Sequence, residues 1–277
     1  MTADIRLLVL DIDGTVAGHS NEITPHVLDR IREVQARGIE VAIATGRMYR
    51  AALRFHTAIN STLPLMAYQG AFIKDPRTQK LIRHSPLPRN LALEILTHLA
   101  PLEAEQALSI HLYIDDALHV RAIIDDTRVY AARSGIEPIT AGDLYHLLQQ
   151  NSTLETTKLL ALCSDPTLIE DLLIKLGQRY TPEELYLTRS VSTFFEATHP
   201  QANKGYAVRY LAEELLDLKP DQVMAIGDNF NDLEMIRYAG IGVAMGDAPQ
   251  AVKDAADWVA PSVEVNGVAD AIEKFLL

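Results

Sequence analysis

The first candidate chemical groups in the chain are two carboxylates, Asp11 and Asp13, within Asp11-Ile12-Asp13-Gly14-Thr15. They follow an apolar run, Arg6 to Leu10, that is typical of a buried parallel strand. Residues two apart in a strand point the same way, and α/β sheets bind ligands at strand carboxyl ends. Two negative groups that share a site repel, so they persist there with a cation or with one carboxyl protonated. The alternative interpretation is an Asp-Gly turn held by side-chain hydrogen bonds.

A second polar group, Thr45-Gly46-Arg47, follows the apolar run Ile39 to Ala44. A helix is predicted to begin at about Met48, which places a hydroxyl and several backbone N–H groups at a helix N-terminus. Because those N–H groups have no partner inside the helix, they can bind an anion. Taken alone, Thr45 can equally be a simple helix cap.

A lysine opens a later helix in the tripeptide Asn203-Lys204-Gly205. The positive end of a helix disfavours a cation, so a nearby anionic group would explain a lysine at this position. A solvent-exposed lysine with no partner is the competing interpretation of this tripeptide.

The last polar group is Gly227-Asp228-Asn229-Phe230-Asn231-Asp232, directly after the apolar run Val223 to Ile226. Asp228 again follows a predicted strand, while Asn231 and Asp232 open the next predicted helix. Their hard oxygen atoms suit Mg²⁺, although helix capping alone also accounts for Asn231 and Asp232. All four groups lie at strand ends or helix starts, and this joint pattern predicts one shared site.

Apolar runs alternate with helical patterns in the first 68 residues and again after residue 203. Such alternation predicts a parallel sheet that is covered by helices on both faces. Between these regions the predicted strands are short and lie close together, with Ser109 to Ile114 and Leu118 to Ile123 forming a hairpin around Asp115-Asp116. Such strands are expected to pair as antiparallel neighbours, which indicates an inserted α+β domain. We therefore predict a core at residues 1–82 and 193–277 and an insertion at residues 83–192.

Composition excludes several classes of protein. The 277 residues carry 25 Lys and Arg against 37 Asp and Glu, a net charge of −12, which disfavours binding to nucleic acid or to an anionic membrane surface. The single cysteine, Cys163, cannot form an internal disulfide and is expected to be a buried apolar residue. No apolar run is long enough for a secretory or membrane segment, which predicts a cytoplasmic location.

The four polar groups together, with the tail Gly242-Val-Ala-Met245-Gly-Asp247-Ala, resemble the haloacid dehalogenase superfamily, specifically the Cof-type sugar-phosphate phosphatases. The resemblance implies an α/β fold: a Rossmann-like parallel-sheet core with an inserted α+β cap domain of type IIB. Two positions depart from the family pattern. Gln69 stands where the family usually has Asn before Gly-Ala, and Asp247 stands where Asn is common.

The resemblance also implies residue roles. Asp11 resembles the nucleophile that becomes an aspartyl phosphate, and Asp13 resembles the acid and base, which we predict to be protonated in the first step. Side chains of Asp11 and Asp228, with the backbone carbonyl of Asp13, resemble the Mg²⁺ ligands. Phosphate-binding and supporting roles fall on the remaining motif residues: Thr45, Gly46, Lys204 and Asn231 for phosphate, and Arg47 and Asp232 for support.

The expected activity is Mg²⁺-dependent hydrolysis of small phosphorylated metabolites such as sugar phosphates. The inserted domain is expected to close over the core site and to supply specificity residues, with polar candidates at His111, Tyr113, Asp115, Asp116, His119 and Arg121. Two alternatives stay open: a phosphomutase of the phosphomannomutase kind, and a metal- and phosphate-binding regulatory protein without turnover. The sequence leaves the oligomeric state open.

Overall fold

Strands and helices alternate along the chain in this computed structural model, which describes residues 4–105 and 107–277. The first elements are β1 (Leu7–Leu10), α1 (Pro25–Ala36), β2 (Glu40–Ile43), α2 (Tyr49–Ala58), β3 (Leu65–Ala67), β4 (Phe72–Lys74) and β5 (Leu81–His84). The middle elements are α3 (Arg89–Ala104), β6 (Ser109–Ile114), β7 (Ala117–Val120), α4 (Asp125–Ser134), β8 (Ile139–Thr140), α5 (Leu144–Gln150), β9 (Thr156–Leu162), α6 (Pro166–Gly177), β10 (Tyr186–Thr188) and β11 (Phe194–Thr198). The last are α7 (Lys204–Arg209), β12 (Val223–Gly227), α8 (Leu233–Tyr238), β13 (Ile241–Ala244), α9 (Gln250–Lys253), β14 (Trp258–Val259) and α10 (Gly267–Phe275).

The chain divides into two compact units, one made of residues up to 83 together with 203–277 and one made of residues 84–202. The second predicted boundary, at residues 192 and 193, differs from this division. Strand β11 pairs with β9, so residues 194–198 belong to the middle unit. The return to the first unit therefore comes at residue 203.

The first unit is built on a five-stranded sheet with the order β14-β13-β12-β1-β2. Every pair in it is parallel, and the register sets Leu10 of β1 beside Ile43 and Ile226. Because β12, β1 and β2 lie side by side, run in the same direction and end level, the residues after them emerge at the same carboxyl-terminal edge of the sheet. Asp11, Thr45 and Asp228 all follow these strands within two residues.

Both faces of this sheet are covered. Leu7, Val9, Val223 and Ala225 belong to a core cluster that also contains Val208 of α7 and Met235 of α8. Alternate strand residues point to the opposite face. Crossovers between parallel strands are right-handed, so α1, which connects β1 to β2, lies on the face opposite to α8, which connects β12 to β13. Helices α1 and α10 contact each other.

The helix that Lys204 opens consists of α7 followed by a π-helical stretch, Tyr210–Leu215. A separate three-stranded sheet, β3-β4-β5, lies in the same unit. Its first two strands, β3 and β4, are joined through a tight turn at Tyr68–Gly70.

The second unit contains a six-stranded sheet with the order β10-β11-β9-β6-β7-β8. The β6–β7 hairpin forms around Asp115 and Asp116 as expected, and β6 is antiparallel to both of its neighbours, β7 and β9. Helices α3, α5 and α6 contribute to a core cluster that includes Cys163, so the cysteine is a buried apolar residue. Among the described residues, no helix is both long and apolar enough to cross a membrane.

Candidate active site

Lys204 lies between two carboxylates at the carboxyl edge of the parallel sheet. Its Nζ donates to Asp11 Oδ1 at 2.6 Å and to Asp232 Oδ1 at 2.5 Å. The three residues come from the end of β1, the start of α7 and the loop after β12. The Lys204 side chain is 0% exposed, so an anionic partner stabilises it and the interpretation of an exposed lysine is wrong.

The loop after β12 is organised by Asp232. Its Oδ2 accepts hydrogen bonds from the backbone N–H groups of Asp228 and Asn229, at 2.9 and 3.0 Å. Since Oδ1 already contacts Lys204, both oxygens of this carboxylate hold protein groups in place. Asp232 thus serves as more than a helix cap, because it fixes the lysine and the loop that carries Asp228.

Asp11, Asp228 and Asp232 each place a carboxylate oxygen within 4.8 Å of the others. Asp228 Oδ1 also accepts a hydrogen bond from Thr15 Oγ1 at 3.3 Å. Burial is the main cause that raises the pKa of Asp11, to about 7; Lys204 opposes the rise, whereas Asp232 and Asp13 add to it. Burial also raises the pKa of Asp228, to about 9, with Asp232 and Asp11 as further causes.

These carboxylates fit a divalent cation. Asp11 is buried and Asp228 is half-buried; their oxygen atoms repel each other in the ionised form, and a cation between them would offset that repulsion. Asp232 is less available as a ligand, because its oxygens are bonded to Lys204 and to two backbone N–H groups.

Asp13 lies in a different environment from Asp11. Arg47 donates to both of its oxygens, from Nε at 2.7 Å and from Nη2 at 2.6 Å. The same Nη2 donates to Asn21 Oδ1 at 2.6 Å. A bidentate guanidinium stabilises the ionised carboxylate. These contacts favour the ionised form of Asp13 in this structure, and its protonation for the first step stays a prediction.

The predicted phosphate-binding residues Thr45, Gly46 and Asn231 lie in the same unit as Lys204. Thr45 Oγ1 accepts a hydrogen bond from the Arg47 N–H at 3.1 Å, so it caps the turn that leads into α2. Asn231 is buried, and its Nδ2 donates to Gln69 Oε1 at 3.2 Å. Gln69 thereby joins the site across 162 positions of sequence.

Comparisons with known proteins show the family of this chain. Residues 8–272 match the haloacid dehalogenase-like hydrolase family. The chain belongs to this family. The YxeH protein of Bacillus subtilis is 28% identical to this chain, over 98% of both chains. The pyridoxal phosphate phosphatase YbhA of Escherichia coli is 25% identical, over 98% of this chain and 99% of its own.

Solved structures support the same family. The structure of TM0651 of Thermotoga maritima has a TM-score of 0.79 and is 29% identical to this chain. The match covers 99% of this chain and 98% of TM0651. The predicted superfamily, the predicted fold of a parallel-sheet core with an inserted cap domain, and the enzyme class of phosphatase are confirmed.

The predicted specificity residues of the cap, residues 84–202, fall into different environments. His111 and Tyr113 share one face of β6 and are buried; His111 Nε2 lies 3.1 Å from Thr127 Oγ1, and the hydroxyls of Tyr113 and Tyr130 are 2.6 Å apart. Burial lowers the pKa of His111 to about 3, with Lys158 as a second cause, so this ring is neutral.

The other four cap candidates lie in or next to the β6–β7 hairpin. Asp115 and Asp116 form the two-residue hairpin turn, with φ of 51° and 53°. His119 pairs with Leu112 and so points to the face opposite to His111. Arg121 is exposed and donates from Nε to Glu103 Oε2 at 2.9 Å. A specificity role for any of the six stays a prediction.

Two contacts of the site have no clear signal in the sequence. Asn21 holds Arg47, and it follows β1 in a loop with no periodic pattern to mark it. Gln69 departs from the family pattern, but that departure does not predict its bond to Asn231. The available signal is the position of Gln69 shortly after a short apolar strand, β3, since Asp11, Thr45 and Asp228 also follow strands.

Proposed function

We propose that this protein is a Mg²⁺-dependent phosphatase that hydrolyses small phosphorylated metabolites, with sugar phosphates as the leading candidates, through an aspartyl phosphate on Asp11. The observation that carries the proposal is the convergence of Asp11, Asp228 and Lys204 at one sheet edge, with Lys204 Nζ at 2.6 Å from Asp11 Oδ1. A carboxylate reacts with a phosphate dianion when nearby positive charge screens the repulsion between them. Lys204 supplies one such charge in a chain with a net charge of −12.

The carboxylates of Asp11 and Asp228, with the backbone carbonyl of Asp13, would hold Mg²⁺. When bound, this ion supplies positive charge that offsets the charge of the transferred phosphoryl group. Burial and neighbouring carboxylates raise the pKa values of Asp11 and Asp228. A bound cation would stabilise the ionised form of both carboxylates, which supports this assignment.

In the first step, an Asp11 carboxylate oxygen forms a bond to phosphorus and the phosphorus–oxygen bond of the ester breaks. Asp13 must first take up a proton from solvent; it then gives that proton to the departing alkoxide and is left as a carboxylate. Because Arg47 donates to both Asp13 oxygens, one of these hydrogen bonds must be exchanged for the contact with the leaving group.

In the second step, Asp13 takes a proton from water as the water oxygen attacks phosphorus. The bond between phosphorus and Asp11 breaks, inorganic phosphate leaves, and the Asp11 carboxylate is restored. Lys204 stays beside Asp11 throughout, and Thr45, Gly46 and Asn231 bind the phosphoryl oxygens. The covalent intermediate divides one difficult displacement into two easier steps.

The substrate class rests on the relatives. YbhA is named for pyridoxal phosphate, and the Bacillus subtilis relative YitU, 26% identical over 97% of both chains, is named for a phosphoribitylamino-uracil. Both names describe small phosphate monoesters. We extend this class to the present protein, with sugar phosphates as the first candidates. The predicted cytoplasmic location stays a prediction.

Phosphate release from a library of phosphate monoesters, with and without Mg²⁺, tests the proposal. The library includes sugar phosphates and pyridoxal phosphate, and Asp11→Asn provides the blank. We expect Mg²⁺-dependent release by the native enzyme alone. Transfer to a second sugar without net phosphate release, dependent on a bisphosphate, would instead indicate a phosphomutase. Phosphate binding with no release from any ester would indicate a regulatory protein.

A further inference from the structure

The turn at Tyr68–Gly70 carries a buried amide in a constrained backbone. Tyr68, Gln69 and Gly70 have φ of 52°, 59° and 89°, three consecutive residues in the left-handed region. Side chains other than glycine rarely adopt this conformation, and such residues cluster at functional sites. Backbone hydrogen bonds hold the turn in place: Tyr68 N–H donates to Arg47 O, and Gln69 N–H donates to Thr45 O, both at 2.9 Å. The turn is therefore fixed to the segment between Thr45 and Arg47.

The two ends of the Gln69 carboxamide face two different segments of the site. Its Oε1 accepts from Asn231 Nδ2 at 3.2 Å, which ties it to the loop after β12. Its Nε2 faces Gly46, since a Cβ built on that glycine would lie 2.6 Å from Nε2. The glycine leaves room for the amide, and the amide spans the gap between two predicted phosphate-binding residues, Gly46 and Asn231.

The Gln69 Nε2 group is a buried donor with no acceptor among residues 4–105 and 107–277, although Gln69 is 0% exposed. A buried N–H group without a partner is unfavourable, so such a group in a native protein calls for an explanation. Phosphate oxygens accept hydrogen bonds and never donate them when fully ionised. An anion beside Gly46 would satisfy the donor that the protein leaves unpaired.

We propose that Gln69 Nε2 donates a hydrogen bond to the phosphoryl group of the substrate, while Gln69 Oε1 positions Asn231 for the same ligand. The inference rests on the phosphatase function proposed above and adds Gln69 to its phosphate-binding residues. It gives the departure from Asn at this position a chemical consequence: the longer side chain reaches both Asn231 and Gly46.

Two substitutions test the donor group of Gln69 separately from the volume of its side chain. Gln69→Glu keeps an acceptor for Asn231 but replaces the donor with a negative oxygen, whereas Gln69→Met keeps the approximate volume and removes both polar groups. Gln79→Glu is the matched control, because Gln79 has a φ of 60° and is exposed in the same unit. The measurement is the inhibition constant of inorganic phosphate, together with kcat, KM and the thermal midpoint.

We expect Gln69→Glu to raise the inhibition constant of phosphate by about tenfold or more, in line with loss of a hydrogen bond to a charged group. Gln69→Met should raise it less, and Gln79→Glu should leave it unchanged. If Gln69→Glu lowers the thermal midpoint so far that it does not fold, Gln69→Met carries the test with an expected rise of about threefold or more.

If the native enzyme is active and both Gln69 variants bind inorganic phosphate as tightly as it does, this inference is overturned and the proposed function stands. The inference would also be overturned if Gln69→Met alone lost phosphate affinity and its thermal midpoint fell as well, because the carboxamide would then serve packing. A native protein that neither binds inorganic phosphate nor releases it from any ester would overturn both proposals.

Discussion

Lys204 Nζ donates to Asp11 Oδ1 at 2.6 Å, joining two buried side chains that are 193 positions apart in the chain. Burial and two flanking carboxylates act on this lysine in opposite directions, and the net effect raises its pKa, so it stays charged. A permanently charged donor beside Asp11 fixes one carboxylate oxygen. It also supplies positive charge where the proposed reaction places a phosphoryl group.

Replacing Lys204 with Met should affect both stability and activity. Asp11 and Asp232 would stay buried without their counter-ion, so the free energy of unfolding should fall by about 3–5 kcal/mol. Phosphate release should fall to the level of the Asp11→Asn blank. Urea unfolding and a phosphate-release assay measure the two effects, with exposed Lys80→Met as the control.

The double variant Lys204→Met with Asp232→Asn separates the two effects. Removing the second buried charge should restore part of the stability while the activity stays lost. Recovery of activity in the double variant would show that Lys204 acts only on the fold and does not assist the reaction.

Asp13→Asn should retain the Mg²⁺-dependent rise in thermal midpoint but lower kcat on alkyl phosphates by about 10²–10⁴-fold. The loss should be smaller for an aryl phosphate with an acidic phenol, because that leaving group departs without a proton. Asp29→Asn is the control, since Asp29 is an exposed aspartate that pairs with Arg32. Full activity of Asp13→Asn on alkyl phosphates would remove Asp13 from the role of acid and base.

The sequence predicts the site residues that follow buried strands, because strand ends are marked by apolar runs. Asp11, Thr45 and Asp228 are placed in this way. Contacts made by side chains across long separations cannot be predicted, since periodicity carries no information about them. The Arg47–Asp13 pair spans 34 positions and the Asn231–Gln69 bond spans 162.

Strand β11 shows the same limit in the fold. Its centre is Glu196, which is 0% exposed and so interrupts the apolar pattern expected of a buried strand. Lys158 Nζ, 38 positions earlier, donates to Glu196 Oε2 at 2.8 Å and makes that burial possible. Lys158 belongs to β9, so the sequence around Glu196 does not by itself indicate a buried strand.

Arg47→Lys should lower kcat by about tenfold or more, because lysine cannot reproduce the two-point contact that holds Asp13. Binding of inorganic phosphate should change less than kcat. Arg54→Lys is a matched control: the guanidinium carbons of Arg47 and Arg54 lie 4.7 and 4.3 Å from the centre of the Phe55 ring. Equal losses in the two variants would indicate that packing on Phe55, and not Asp13, explains the effect.

The stability of the metal-free protein should depend on pH through Asp11 and Asp228. Both carboxyls hold protons in the folded state, up to about pH 7 and about pH 9, whereas an aspartate in the unfolded chain has its ordinary pKa of 3.8. Over that range the folded state binds more protons, so the free energy of unfolding falls as pH rises. The raised pKa of Lys204 adds no slope below its unfolded value of 10.5.

Mg²⁺ should reverse this trend, because it binds the ionised carboxylates and its stabilising effect grows as protons leave. Thermal midpoints in EDTA and in Mg²⁺, measured from about pH 5 to about pH 9, test both statements. In Asp228→Asn the EDTA profile should be flatter and the Mg²⁺ effect smaller. A Mg²⁺ effect that is equal at every pH would place the ion away from these two carboxylates.

Gly14→Ala should weaken Mg²⁺ binding through Asp228. Gly14 has a φ of +78°, and a Cβ there would lie 2.2 Å from Asp228 Oδ2, so the carboxylate would have to move. Gly38→Ala is the matched control, since Gly38 has a φ of +84° and nothing lies within 4 Å of the added atom. Both variants lose about 1 kcal/mol from the left-handed backbone, and only Gly14→Ala adds the collision. The thermal midpoint should therefore fall in both, while the Mg²⁺-dependent rise should shrink in Gly14→Ala alone; an equal rise in the two variants would mean that Asp228 does not bind the ion.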